Sequence, residues 1–104
     1  MGRKQLIKIL ANGIALVSVH KIIEQYTNKP ESIKHVKDEI RDYSTTVFDN
    51  SQLRKWRKEE LTLIKESAIK YAKNKLISYS DIKVNDSIIE EFVTDTMQDL
   101  ILLS

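Results

Sequence analysis

The chain has 104 residues with no Cys, two Gly, one Pro and a formal net charge of +2. That length makes one domain, residues 1–104, which buries roughly 60% or more of its unfolded surface and so holds a core without staples. The missing Cys excludes a disulfide framework, a thiolate metal site and a Cys nucleophile, and is compatible with a cytoplasmic protein. So few Gly and Pro favour long helices with short connections over many short strands. The reading is all-α: a compact bundle of about four helices, roughly 4–27, 31–46, 51–77 and 87–103, with the first most buried.

The first helix changes face along its length. On a wheel at about 100° per residue, Lys4, Gln5, Lys8 and Asn12 share a polar side opposite Leu6, Ile7, Leu10, Ile14 and Val17. Beyond Ala15 the pattern inverts, and Val19, Ile22, Ile23 and Tyr26 lie on the side that was polar. Two apolar faces at different heights must meet different neighbours, either other helices of this chain or a second subunit. Gly13 sits at the changeover, where Gly costs about 1 kcal/mol against Ala; a kink or a close helix crossing accounts for it. The segment MGRK plus Leu6 to Val19 imitates a signal or anchor, but Lys8 interrupts it and no small-residue cleavage site follows. The apolar run also falls short of the about 20 residues a spanning helix needs, so a membrane element is not expected.

Thr27-Asn28-Lys29-Pro30 ends this helix, and Pro30 with Glu31 suits the first turn of the next. Ile33, Val36, Ile40, Tyr43 and Val47 then recur as one narrow apolar stripe. Phe48 to Ser51 reads as a turn whose Asp49, Asn50 and Ser51 can cap a third helix. That helix would bury Leu53, Trp56, Leu61, Ile64, Ala68, Tyr71 and Ala72. On its opposite face Lys55, Lys58, Lys65 and Lys73 line up over about 27 Å, with Arg54 and Arg57 beside them and Glu59 placed to pair with Lys55. Such a row can be a solvated face or can track phosphates. Trp56 lies on the apolar side with Leu53 and Ile64, which makes it a core or contact residue rather than a base-stacking one.

Ser78 to Asp86 is the longest connector, with Ile82 and Val84 turned inward. Ser87 and Glu90 have the spacing of a capping box for the fourth helix, whose buried face is Ile89, Phe92, Val93, Met97 and Leu100. Glu91, Asp95 and Asp99 form an acidic row without the convergent ligands a metal needs. The chain closes on Leu100-Ile101-Leu102-Leu103, which points around the whole helix. Residues 51–78 carry eight basic and three acidic side chains and 79–104 one and six, so the acidic last helix is expected beside a basic one.

Enzyme chemistry has no support: there is no Gly-rich phosphate loop, nucleophile elbow or H-E-x-x-H, and no metal or cofactor is expected. His20 and His35 read as surface or boundary residues. The leading expectation is a helical protein-protein interaction module, self-associating or a small subunit of an assembly. Its contact residues would be Leu6, Leu10, Val17, Ile22, Ile23, Tyr26, Ile101, Leu102 and Leu103. One alternative is nucleic-acid binding through Arg54, Lys55, Arg57, Lys58, Lys65 and Lys73. Another is peripheral membrane attachment through the first helix.

Overall fold

The opening segment forms one unbroken helix, α1 (Arg3–Tyr26), in the computed structural model. The structure describes the chain apart from Met1, Asn28, Pro30, Ser32, Arg54, Ser80, Leu103, Ser104 and the side chain of Leu102. At 1.5 Å per residue α1 is about 36 Å long, close to the longest dimension of a molecule measuring 39 × 25 × 23 Å. Three further helices surround it: α2 (Ile33–Ser51), α3 (Lys58–Leu76) and α4 (Asp86–Met97), the last continuing as a π-helical turn, Gln98–Leu102.

Directions follow from which residues meet. Gly13 and His20 of α1 face Val47 and Glu39 of α2, so those two run antiparallel. Ser18 meets Thr96, and Tyr26 packs edge-on against Phe92 at 6.4 Å, so α4 is also antiparallel to α1. Arg3 holds Glu60, while the connector after α3 reaches Ile23 and Thr27, so α3 runs parallel to α1. Among the described residues α2 and α3 do not contact each other; α1 lies between them.

The two apolar faces of α1 are both covered within the chain. Leu6, Leu10, Ile14 and Val17 are buried, and so are Val19, Ile22 and Ile23 beyond the changeover. Twelve residues of α1 are buried, against three in α2 and four each in α3 and α4, which makes it the core helix. By length and composition α1 could cross a membrane, a correction to the shorter run read from sequence, yet 67% of its most apolar window is buried inside the bundle.

α1 passes straight through Gly13. The residue is there for a close crossing, because a Cβ at that position would lie 2.6 Å from Val47 Cγ2.

Two expected boundaries move. The turn expected from Phe48 to Ser51 is the last turn of α2 instead, and α3 starts at Lys58, seven residues late. Tertiary burial overrides the capping signals: Val47 and Ser51 are both buried, and the Ser51 hydroxyl donates to Phe48 O at 2.7 Å. Leu53, expected in the core of α3, consequently lies in the connector and is 65% exposed. At α4 the cap is Asn85 rather than Ser87, its Oδ1 accepting from Ile88 N–H at 3.0 Å.

The remaining apolar positions match their stripes. Val36 and Val47 of α2 are buried, with Ile40 and Tyr43 packed beside them. Ile64, Ala68 and Ala72 of α3 and Ile89, Val93 and Met97 of α4 complete the core, and Ile82 tucks in from the connector. Opposite charges meet at the α3 and α1 contacts with the acidic helix, Lys73 with Asp86 at 3.2 Å and Lys21 with Asp99 at 3.8 Å.

Candidate functional site

One end of the bundle gathers the C-terminus of α1, the first half of α2 and the connector 77–85. Between them lies a cavity of about 290 Å³ lined by His20, Ile23, Thr27, His35, Glu39 and Tyr79, among others. His20, expected at the surface or boundary, is buried at 8% exposure because α2 and the connector close over that part of α1. A carbonyl only accepts, so the His20 ring presents Nδ1–H to Leu16 O, 2.6 Å away. Its Nε2 lies against one oxygen of Glu39, and the Nε2 of the exposed His35 lies 2.7 Å from the other. Tyr43 packs tilted on the His20 ring at 5.4 Å.

One carboxyl group is thus bracketed by two imidazoles from different helices. The His35–Glu39 half is readable in sequence from its i, i+4 spacing, a pairing worth about 0.2–0.5 kcal/mol on an exposed helix. The His20–Glu39 half depends on how α1 and α2 cross. Among the described residues no group of three or more His, Asp or Glu is placed to hold a metal ion.

A second cavity, of about 400 Å³, adjoins the first across Ile82. Leu76, Ile77, Ile82, Val84 and Ile89 supply its apolar wall, with Lys73, Lys83 and Asp86 at its polar edge. Ile77, the first residue past α3, stands 80% exposed at its rim. Tyr26 and Tyr79, both exposed, belong to the same end of the molecule.

The opposite end is tied together by Arg3. Its guanidinium donates to both carboxylate oxygens of Glu60, through Nη2 at 2.8 Å and through Nε. It also donates to Lys55 O at 2.7 Å and lies 5.4 Å over the ring of Trp56. Glu60 in addition accepts from the Arg57 N–H at 3.0 Å and so closes the first turn of α3. The Arg3 hydrogen bond, then the Arg57 N–H, push the Glu60 carboxyl from the usual 4.5 down to about 2, and the same bond raises Arg3. Trp56 is half-buried, packs on the core and donates Nε1–H to Ser51 O at 3.0 Å. With Arg3 over its ring and its N–H engaged, it is a packed residue.

These contacts break up the basic row expected on α3. Lys55 and Arg57 are in the connector, Arg54 lies outside the described residues, and Lys73 is held by Asp86. Lys58 is exposed and Lys65 half-buried on the helix itself. Glu59 is on α3 and Lys55 is not, so the expected pair between them does not form among the described residues.

The expected contact residues are corrected in the same way. Leu6, Leu10, Val17, Ile22, Ile23 and Ile101 are buried inside the chain by α2, α3, α4 and the connector, so none is available to a partner. Tyr26 is exposed; Leu103 lies outside the described residues, as does the side chain of Leu102. The two most exposed large apolar side chains among the described residues, Leu53 and Ile77, follow helix ends whose positions only the folded chain reveals. Comparison with protein-family models, curated proteins and solved structures finds no significant match to this chain.

Proposed function

We propose that the chain is a small helical protein-protein interaction module with no catalytic role of its own, acting as a self-associating adaptor or a subunit of a larger assembly. The contact surface we assign to it is the end formed by the connector 77–85. The observation that carries this reading is Ile77, 80% exposed at the rim of an apolar cavity of about 400 Å³. Leaving a large aliphatic side chain in water forgoes about 1.5–3 kcal/mol, and a partner that covers it recovers that free energy. The adjoining cavity between His20, Glu39 and Tyr79 supplies polar groups that would orient a docked segment.

Sedimentation velocity over a wide concentration range tests the self-associating form. The wild-type chain should sediment faster as concentration rises, and Ile77→Glu should remain at the monomer value. A wild-type chain that stays monomeric throughout would overturn self-association through this surface.

A further inference from the structure

The end of the molecule opposite that surface carries an independent pattern. The Arg3–Glu60 bridge brings the first turns of α1 beside the connector that precedes α3. Lys4 and Lys8 come from one segment and Lys55, Arg57 and Lys58 from the other, and all five are exposed. Arg3 occupies Glu60, and among the described residues no carboxylate lies within ion-pair distance of Lys4, Lys8, Lys55 or Lys58. Two large apolar side chains share this end: Phe48 in the last turn of α2, and Leu53, 65% exposed, two residues beyond that helix. Trp56 joins the groups through its bond to Ser51 and its contact with Arg3.

We propose that this end docks on an anionic lipid surface, the five cations meeting headgroups while Leu53 and Phe48 enter the acyl boundary. Cations alone would suit any polyanion. The exposed Leu and Phe among them discriminate, because a phosphodiester backbone offers nothing apolar and a bilayer interface does. A fluid headgroup layer also adjusts to cations from two separate segments without a matched cavity. The contact differs from insertion of α1, whose apolar faces are used up in the core.

Trp56 is the single Trp of the chain and therefore reports on this end by itself. The experiment follows its emission, together with flotation, on adding vesicles of phosphatidylcholine alone or with phosphatidylserine. Binding should require phosphatidylserine, shift the emission to the blue and weaken as salt is raised. Lys4→Glu with Lys8→Glu, and separately Lys55→Glu with Lys58→Glu, should each weaken partitioning by roughly ten-fold or more. Leu53→Gln should weaken it at unchanged salt dependence, and Ile77→Glu should leave it intact, which keeps this test separate from that of self-association. Emission and flotation indifferent to phosphatidylserine would overturn the proposal. So would binding that survives both lysine pairs, or a labelled DNA duplex bound through these lysines while vesicles are not.

Discussion

At the level of single residues, Glu60 joins local and distant structure. It caps the first turn of α3 through the Arg57 N–H and anchors the start of α1 through Arg3. A carboxyl held at about 2 when folded, against the usual 4.5, contributes stability that is fully present above the unfolded value. That contribution is lost as pH falls through the folded value. The gap in thermal midpoint between wild type and Glu60→Gln should therefore be constant above pH 4.5 and close between there and pH 2. Melts followed by circular dichroism across that range check it; a gap of the same size at both ends would mean that the charge on Glu60 is not its source. The residue type and the spacing to Arg57 are visible in sequence. The pairing with Arg3, 57 positions away, is not.

Between elements, the α1–α2 crossing is set by one missing methyl group. Replacing Gly13 by Ala gains about 1 kcal/mol of helix propensity, but the new Cβ would meet Val47 Cγ2 at 2.6 Å. Val is stiff at χ1 and its branch is buried, so the helices must separate, and such overpacking costs about 1–3 kcal/mol. Gly13→Ala should therefore fail to stabilise the protein and should lower its denaturation midpoint. Combined with Val47→Ala, which removes the obstructing atom, it should recover part of the loss, with a coupling of about 0.5–3 kcal/mol in a double-mutant cycle. Strict additivity would show that the two positions do not touch. Gly at a change of face marks this crossing in sequence, although which helix crosses there does not appear.

For the whole molecule, the question is what covers the second face of α1. Ile22 is completely buried by the chain's own residues. Its truncation to Ala should cost about 2–5 kcal/mol, as for other large core aliphatics. Because the cover is intramolecular, the urea midpoints of the Ile77→Glu chain, in which the proposed self-association contact is removed, and of the same chain carrying Ile22→Ala should not depend on protein concentration. A midpoint that climbs with concentration would place part of that cover on a second copy. The two most exposed large apolar side chains among the described residues lie off α1, Ile77 beyond α3 and Leu53 beyond α2.

Periodicity alone determined the class of fold, the number of helices and the most buried one, because apolar spacing records which sides of a helix leave water. It also identified the inward residues of α4 and Ile82 in the connector. Packing decided where α2 stops and α3 starts: Val47 and Ser51 stay helical against the core despite an Asp-Asn-Ser capping signal, and the basic row divides at that connector. Packing likewise assigned the cover of Ile22 and Ile23 to this chain and brought His20 to Glu39, since a helix pattern states that a side must be covered without naming the neighbour. Contacts between residues far apart in sequence come from crossing angles and close approaches, which a one-dimensional pattern does not encode.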